Sequence, residues 1–339
     1  MKAAVFEAPH KLVIKEVPEP VPGDNEVIVK VHSCGVCATD VHTLEGEFIS
    51  KEPYPLIPGH ELSGEVVQTG KNVKDFKLGD KVAADPIIPC GECYYCKRNQ
   101  QNHCENFEAL GTTVPGGFAE LVSVPAKNLH KFNNVSFEEA ALAEPLACVI
   151  YGHQRARVNF GDDVLIFGAG PLGLLHLQLA RHAGAARVMV CDLKESKLEL
   201  AKELGAHQVI NAGKENINDL LELVPHGFDM VIDATGVAKV VEDTVPFIKR
   251  TGKLMVFGVC PQKSTIKVNP YDIYRRDIEI IGVFALNKTL GKSLKLIDNG
   301  VINTKKIISD RMTLDQFGRA LEMLKNGKAE GKIQINPQL

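Results

Sequence analysis

The sequence predicts an α/β protein with two domains, one rich in β-strands and one built on a doubly wound parallel sheet. The chain has 339 residues, which exceeds the size at which a single hydrophobic core usually keeps growing. Short apolar segments dominate its first third, whereas strand-like and helix-like segments alternate from about residue 150 onward. Such alternation is typical of βαβ units, which build a parallel sheet.

The first third is predicted to form strands that are separated by turns. Its apolar segments are KLVIKEV, EVIVKVHS and GEVVQTG, and the turn signals VPGDN and KLGD lie between them. Short runs of this kind, bounded by Gly, Pro, Asn and Asp, are typical of β-strands. We therefore expect this region to supply the β-rich domain.

The next part of the chain is predicted to alternate strands with helices. DDVLIFGAG is a buried strand followed by glycines, and PLGLLHLQLARHAGA has helical periodicity and ends in glycine. Further strands are predicted at ARVMVCD, HQVIN, FDMVIDATG and KLMVFGV, with a helix at KESKLELAKELGA. The tail is predicted to be a helix with Thr313 as its N-cap, followed by a last strand.

Composition and charge exclude several classes of partner. The net charge is −3, from 39 basic and 42 acidic residues, so we expect neither a nucleic-acid nor a membrane partner. The first residues, MKAAVFEAPHKLVIKEV, lack the uninterrupted apolar run of a secretory signal, and no stretch is long enough to span a bilayer. We therefore expect a cytoplasmic protein, in which clustered cysteines bind metal rather than form disulfides.

A nucleotide site is predicted at the motif GAGPLG, which lies between a strand and a helix. The motif offers Gly168, Gly170, Pro171, Leu172 and Gly173 as cofactor-binding residues. Its glycines allow a tight turn and a close backbone approach to a pyrophosphate, which the N-terminus of the helix attracts. Asp192 ends the next strand and would bind the adenosine ribose, which favours NAD over NADP. The alternatives are that the glycines only form a tight turn and that Asp192 is only a solvated acid at the end of a strand.

Four cysteines within CGECYYCKRNQQNHC predict a structural zinc site. They are Cys90, Cys93, Cys96 and Cys104, in the pattern C-x2-C-x2-C-x7-C. Four thiolates fill the tetrahedral coordination of Zn2+ and leave no open position, so chemistry is expected elsewhere. A nucleic-acid-binding zinc ribbon would bring a basic surface, which this chain lacks. An iron–sulfur cluster is a lesser alternative.

Cys37 in CGVCATDVH, with His60 and Glu61 in PGHELSGEVVQTG, offers further zinc ligands. At these residues the chain resembles a known family. GHELSGEVVQTGKNV resembles the zinc-alcohol-dehydrogenase signature, and CATDVH resembles the segment that carries the first ligand. The cysteine lobe and the nucleotide motif follow in the family's order. The chain thus resembles a zinc-dependent medium-chain dehydrogenase over nearly its full length.

The resemblance implies a catalytic zinc bound by Cys37, His60 and a third residue that differs between branches. Classical alcohol dehydrogenases use a cysteine, whereas the sorbitol dehydrogenase branch uses a glutamate within an E-P-L stretch. Here ALAEPLACV contains Glu144 before Pro-Leu, and we expect Glu144 rather than Cys148 to be the ligand. Glu61 would be an alternative or water-mediated ligand.

The resemblance also implies a proton relay beside the zinc. Thr39 and His42 match the positions that carry the alcohol proton to solvent, and Asp40 matches the position that orients the histidine ligand. Within this branch, a tyrosine follows the relay histidine, but here the residue is Thr43. An arginine follows the last G-V-F, but here the text continues ALN (residues 285–287). These two departures argue against sorbitol itself as the substrate.

The expected activity is hydride transfer between NAD and a secondary alcohol, a sugar alcohol or its phosphate, which gives the ketose. Lys288 and Lys292 are candidates to meet a phosphate, although we favour the alternative that they are solvated surface lysines. Alternatives are an L-threonine, diol or simple alcohol dehydrogenase, and more remotely a non-catalytic NAD- and zinc-binding protein. The expected cofactors are NAD and two zinc ions per subunit, one catalytic and one structural.

The resemblance also implies the domain boundaries. A GroES-like catalytic domain would comprise residues 1–148 and 286–339, with the structural zinc lobe at 90–104, and a Rossmann domain would comprise residues 149–285. The strand DIEIIGVF is expected at the sheet edge, where it would pair across a two-fold axis in a homodimer or tetramer.

Overall fold

A computed structural model describes residues 1–47 and 53–339 of the chain. Within them the chain divides into two units, one formed by Met1–Ala147 with Leu286–Leu339 and the other by Cys148–Ala285. The second unit is therefore an insertion in the first, because the chain leaves the first unit once and returns to it. The division falls inside a helix, one residue before the predicted boundary.

Strands occur along the whole of the described chain, whereas most of the helices follow residue 142. The strands are β1 (Lys2–Ala8), β2 (Lys11–Glu16), β3 (Glu26–Gly35), β4 (Glu61–Thr69), β5 (Lys81–Ala84), β6 (Ile87–Ile88), β7 (Glu108–Ala109), β8 (Leu121–Pro125), β9 (Leu129–Lys131), β10 (Asp163–Phe167), β11 (Arg187–Asp192), β12 (Gln208–Asn211), β13 (Phe228–Asp233), β14 (Ile248–Val256), β15 (Glu279–Gly282), β16 (Ile308–Met312) and β17 (Lys332–Ile335). The helices are α1 (Ala38–Leu44), α2 (Phe137–Ala141), α3 (Ala143–Ala156), α4 (Pro171–His182), α5 (Glu195–Glu203), α6 (Leu220–Leu223), α7 (Ala238–Thr244), α8 (Pro270–Arg276), α9 (Leu290–Asp298) and α10 (Phe317–Lys325).

The first unit is built on a mostly antiparallel sheet with the strand order β16-β17-β3-β4-β5-β9, in which β8 also pairs with β3. The register places Gly35 of β3 opposite Glu61 of β4 on one side and opposite Gln334 of β17 on the other. The ends of three distant segments therefore lie side by side. Beneath them is an apolar core in which Phe118 and Phe317 are fully buried.

The second unit contains a six-stranded parallel sheet with the order β12-β11-β10-β13-β14-β15. This confirms the predicted doubly wound sheet. The strand order reverses between β10 and β13, and open sheets of this kind bind ligands at the carboxyl ends of the two strands beside such a reversal. Leu165 and Val231 from these strands are fully buried in the unit's own core. The segment DIEIIGVF contains β15 (Glu279–Gly282), which lies at the sheet edge as predicted.

The tail differs in detail from its prediction. Thr313 is an N-cap, as predicted, and forms a reciprocal capping box with Gln316. The element that it caps is a 3₁₀ turn, however, and α10 begins only at Phe317. Such tight turns are common at the N-termini of helices. The predicted last strand is present as β17. In the described part of the chain, every helix is too short or too polar to cross a bilayer.

Candidate active site

The four cysteines of the 90–104 segment form a cluster whose dimensions fit a zinc ion. All four Sγ atoms lie within 4.8 Å of one another. The Cys104 Sγ lies 3.5 Å from that of Cys90 and 3.9 Å from that of Cys93. A disulfide requires about 2.05 Å, whereas tetrahedral zinc with bonds of about 2.3 Å places its sulfurs about 3.8 Å apart. The cluster therefore has the spacing of a zinc site and not of disulfides.

The local backbone prepares this cluster for a cation. The N–H groups of Glu105 and Cys96 lower the pKa of the Cys93 thiol to about 6, because they stabilise a thiolate. Burial acts the other way and raises the pKa of Cys96 to about 12. A bound cation would offset that burial, since it interacts only with the thiolate form.

The segment that follows β15 braces the cysteine cluster. The Asn287 side chain accepts a hydrogen bond from the N–H of Gln101 at 3.3 Å and donates to the carbonyl of Asn99 at 2.5 Å. The Lys288 ammonium donates to the Asn99 side chain at 2.9 Å. Asn287, the last residue of the ALN segment (residues 285–287) that follows G-V-F in place of the arginine of the sorbitol branch, thus has a bracing contact that the sequence did not reveal. Lys288 is likewise engaged, although it was a candidate for a phosphate.

A second group of potential metal ligands is formed by Cys37, His60 and Glu61. One ligand atom from each lies within 4.8 Å of the other two. Cys37 caps the N-terminus of α1, whereas His60 and Glu61 lie where the chain enters β4. A thiolate, an imidazole and a carboxylate are the donor types that catalytic zinc takes from proteins.

Unpaired buried atoms concentrate around this group. In the described residues, Asp40 Oδ1, His60 Nδ1 and Glu61 Oε2 are buried without a hydrogen-bond partner. Buried polar atoms are paired in the great majority of cases. Several such atoms, next to three zinc-type ligands, are what a site prepared for a cation would show, and the residues therefore fit a zinc ion.

Glu144 lies near this group but outside it. Its side chain, in the first turn of α3, is buried. Burial by itself would lower the pKa of His60, but the contact with Cys37 and the negative charges around the imidazole raise it well above its usual value. Glu144 is one source of that negative charge. The predicted set of Cys37, His60 and Glu144 therefore shares one electrostatic environment, while Glu61 is the carboxylate that the structure groups with the first two.

Lys332 is a partner of the site that the sequence reasoning missed. Its ammonium lies 2.6 Å from Glu61 Oε1 and also donates to the carbonyl of Val36 at 3.2 Å. Lys332 is 6% exposed and Glu61 is 2% exposed. Burial would lower the pKa of Lys332, but the nearby negative charges, of which Glu61 contributes most, together outweigh it and raise that pKa above its usual value. The only signal in the sequence was a lysine in the predicted last strand.

Gly35 is required where the Glu61 side chain crosses β3. A Cβ at this glycine would lie 2.0 Å from Glu61 Oε2, a distance that two heavy atoms without a bond cannot adopt. The close passage lets the carboxylate reach from β4 across β3 toward Lys332 in β17.

The helix α1 holds the predicted relay and orienting residues. Asp40 Oδ2 accepts a hydrogen bond from the backbone N–H of Cys37 at 2.8 Å, and its other oxygen lies 3.8 Å from His60 Nδ1. Burial raises the pKa of Asp40 to about 6. Thr39 Oγ1 lies 3.7 Å from Cys37 Sγ. Thr39 and His42 are three residues apart on the helix, so they share one face.

In the second unit, the GAGPLG loop has the shape that its glycines predict. Gly168 has φ +99°, and a Cβ at Gly173 would lie 1.8 Å from the Gly168 carbonyl oxygen. Gly170 is the N-cap of α4, and Pro171 occupies its first turn, where the missing N–H has no cost. Leu172 follows in the same turn. The backbone therefore turns tightly into a long helix whose N-terminal N–H groups are available to an anion.

Asp192 has a role that the sequence did not predict. Its Oδ2 accepts a hydrogen bond from the N–H of Ala169 at 2.7 Å, inside the glycine loop. Its Oδ1 accepts from the N–H groups of Leu193 at 2.7 Å and Lys194 at 3.0 Å. The carboxylate therefore ties the end of β11 to the loop that follows β10.

A second loop contacts the GAGPLG turn from the other side of the strand-order reversal. Asp233 at the end of β13 is fully buried and accepts hydrogen bonds from the N–H of Thr235 at 3.0 Å and from its hydroxyl at 2.5 Å. The Thr235 methyl group lies 3.1 Å from the position of a Cβ at Gly168. The sequence predicted this segment only as a strand, although Asp233 and Thr235 directly after FDMVI were a signal.

Comparisons with known proteins agree with these features. The family model described as "Alcohol dehydrogenase GroES-like domain" matches residues 23–134, and that described as "Zinc-binding dehydrogenase" matches residues 171–299. D-arabinitol dehydrogenase 1 of Uromyces fabae is 35% identical over 99% of this chain and 97% of its own. D-altritol 5-dehydrogenase of Agrobacterium fabrum is 34% identical over 94% of each chain. L-threonine 3-dehydrogenase of Yersinia enterocolitica is 32% identical over 99% of each.

A solved structure shares the fold over almost the whole chain. It is a zinc-binding dehydrogenase from Sinorhizobium meliloti 1021, bound to NADP. Its sequence is 35% identical, its TM-score is 0.93, and the match covers 99% of both chains.

Proposed function

The chain belongs to the zinc-binding alcohol dehydrogenase family, and we propose that it transfers a hydride between NAD and a secondary hydroxyl group of a sugar alcohol, giving the ketose. The observation that carries this proposal is the group of Cys37, His60 and Glu61, in which His60 and Glu61 are buried, with Glu144 beside it. Relatives at 35% and 34% identity are named for oxidising arabinitol and altritol, which supports a polyol as the substrate.

Cys37, His60 and Glu144 are assigned as ligands of a catalytic zinc, with Glu61 as an alternative ligand. When bound, zinc supplies Lewis acidity to the substrate hydroxyl, and the nicotinamide ring accepts the hydride. Asp40 orients the His60 imidazole from its buried position. Lys332 keeps one oxygen of Glu61 engaged, while the other oxygen is buried without a hydrogen-bond partner and is therefore open to a metal ion.

The proton of the substrate hydroxyl leaves through α1. The Thr39 hydroxyl, next to Cys37, accepts that proton as it passes its own onward. His42 receives a proton on its ring and releases it to solvent, because its side chain is 25% exposed. The net reaction converts an alcohol and NAD into a ketone, NADH and one proton.

The GAGPLG loop is assigned to the cofactor pyrophosphate and Asp192 to the adenosine ribose. A carboxylate at the end of β11 repels a 2′-phosphate, which favours NAD over NADP. The Sinorhizobium meliloti relative holds NADP, so the preference of this chain has to be measured by comparing kcat/KM for the two cofactors.

The cluster of Cys90, Cys93, Cys96 and Cys104 is assigned to a structural zinc, which gives two zinc ions per chain. We also assign a dimer contact to the edge strand β15. Ile280 on that strand and Tyr271 and Tyr274 on the nearby α8 are exposed, and an uncovered sheet edge is suited to pairing with a second copy. Light scattering after gel filtration should give at least twice the mass of the chain.

A substrate panel tests the proposed reaction. NADH absorbance would be followed with D-arabinitol, other polyols, their phosphates, L-threonine and primary alcohols. We expect the highest kcat/KM with a polyol. A higher value with L-threonine would favour the second candidate, which the 32% identical relative supports.

Replacement of the ligands tests the site. Glu144→Ala should abolish turnover and remove one zinc ion while NAD binding, measured by calorimetry, is retained. Unaltered turnover in Glu144→Ala combined with lost turnover in Glu61→Gln would transfer the ligand role to Glu61.

A further inference from the structure

The C-terminus of α1 ends in a hydrogen-bonded cap that fixes two side chains against each other. The N–H of Gly46 donates to the carbonyl of Thr43 at 3.1 Å, and the N–H of Glu47 donates to the carbonyl of His42 at 2.9 Å. Gly46 has φ +86°. These two bonds and the left-handed glycine are the features of the Schellman motif.

In that motif the residue after the glycine folds back onto the residue five positions earlier, and the two side chains usually make an apolar contact. Here the same two positions hold Glu47 and His42, and Glu47 Oε2 lies 2.8 Å from His42 Nδ1. The contact is therefore set by the backbone of the cap. It does not depend on a chance meeting of two long surface side chains.

The chemistry of this contact determines the tautomer of the imidazole. An ionised carboxylate only accepts hydrogen bonds, so the hydrogen on His42 must be on Nδ1. In the neutral ring, the lone pair is then on Nε2. A ring held in this form accepts a proton at one defined atom and keeps the other hydrogen on Nδ1 throughout.

We propose that Glu47 is a positioning residue that holds His42 in the Nδ1–H tautomer, so that Nε2 accepts the substrate proton at the end of the relay. The inference rests on the proposed function, because it assigns a purpose to the relay histidine. The step balances: one proton leaves the alcohol, one proton arrives on Nε2, and Glu47 stays ionised. The imidazolium then loses that proton to solvent and returns to the same tautomer.

Other charges surround His42, and one of them provides a matched control. Glu45 lies at the same helix end but pairs with Lys325 of α10 at 2.5 Å. His10 approaches from the turn between β1 and β2, where its N–H donates to the carbonyl of Leu44 at 2.6 Å. Glu45→Gln therefore removes the same charge from the same helix end without touching the His42 contact.

The test compares Glu47→Gln with Glu45→Gln in the zinc-loaded protein. A glutamine side chain both donates and accepts, so it no longer selects one tautomer. Nitrogen NMR of histidine-labelled protein would report the tautomer, with His42→Gln used to identify the signal. The pH profile of kcat would be measured for polyol oxidation in parallel.

We expect the wild type and Glu45→Gln to show the Nδ1–H tautomer of His42 and Glu47→Gln to show a mixture. Because the pair is partly exposed and screened, kcat in Glu47→Gln should fall by roughly two- to five-fold, with a displaced acid limb and an unchanged KM. An unaltered tautomer in Glu47→Gln, or equal effects of the two variants, would overturn the proposal.

Failure of the proposed function would look different. If the wild type oxidised none of the alcohols while Glu47→Gln still lost the fixed tautomer, the proposed reaction would be wrong. The contact between Glu47 and His42 would still be supported. If turnover were normal and both variants matched the wild type in tautomer and pH profile, the proposed positioning role of Glu47 would be wrong. The proposed reaction would still be supported.

Discussion

Removal of the positive charge of Lys332 should destabilise the first unit strongly. In Lys332→Met the side chain keeps a similar length and apolar stem, but Glu61 is left ionised, 2% exposed and without its partner. The two charges are 2.6 Å apart, which corresponds to an attraction of about 6 kcal/mol at an effective dielectric constant of about 20. Part of this is offset by the cost of burying both ions. Breaking such a pair from one side costs about 3–5 kcal/mol.

A double-mutant cycle separates the pair from other effects. Glu61→Gln removes the second charge, so Lys332→Met with Glu61→Gln should be less destabilised than the sum of the single variants, by about 2 kcal/mol. Urea unfolding of the zinc-loaded protein, followed by far-ultraviolet circular dichroism because the chain has no tryptophan, gives the free energies of unfolding. The m values must agree among the variants for the comparison to hold.

The outcome can refute the reasoning in two ways. A loss below about 1 kcal/mol in Lys332→Met would place the pair in the range of solvent-exposed ion pairs. Strict additivity in the cycle would show that the two charges do not interact. Either result would remove the argument that Lys332 and Glu61 neutralise each other in a buried site.

Three more predictions follow from the metal cluster, the buried histidines and the cofactor loop. Cys93→Ser should reduce the zinc content from about two ions per chain to about one, measured by mass spectrometry; two retained ions would contradict the tetrahedral site. Burial lowers the pKa of His153 to about 4 and that of His176 well below its usual value. The unfolded chain therefore takes up protons below about pH 6.5 that the folded second unit excludes, so stability is full above that pH and is lost as pH falls, by up to about 1.4 kcal/mol per pH unit for each ring. His176→Gln should reduce this slope in urea unfolding between pH 6.5 and about 4.5, and an unchanged slope would show that the ring is protonated in the fold. Asp192→Asn keeps an oxygen that can accept from the Ala169 N–H but removes the charge, so it should raise the NADP-to-NAD ratio of kcat/KM about tenfold. An unaltered ratio would show that Asp192 holds the loop but does not select the cofactor.

Local patterns were enough to predict most of the fold. The alternation of apolar strands with amphipathic helices determined the parallel sheet, and the GAGPLG loop was identified because its glycines act through their own backbone. The cysteine cluster was equally accessible, since its four ligands lie within one short segment. In each case the physical cause and the sequence signal occupy the same stretch of chain.

The candidate site was less accessible because its contacts are not local. Cys37 and His60 were candidates by residue type, but only a resemblance joined them in one site, since nothing in their spacing shows that the register of β3 and β4 brings them together. Lys332 is 271 residues from Glu61, and only the pairing of β17 with β3 reveals the contact. Glu47 is different: its cap is local, but a glycine flanked by two glutamates is only a weak signal of a helix end.

The place of β17 in the sheet has a consequence for the biosynthesis of the protein. The strand that delivers the neutralising ammonium is translated after every zinc ligand and after the entire inserted unit. While the ribosome is still decoding the preceding codons, the nascent chain holds the Glu61 carboxylate without the ammonium that lies 2.6 Å from it in the complete fold. Termination upstream of this strand would therefore leave the carboxylate beside the metal ligands without its ammonium, which by charge alone favours a cation, and would remove the strand through which β16 joins the sheet.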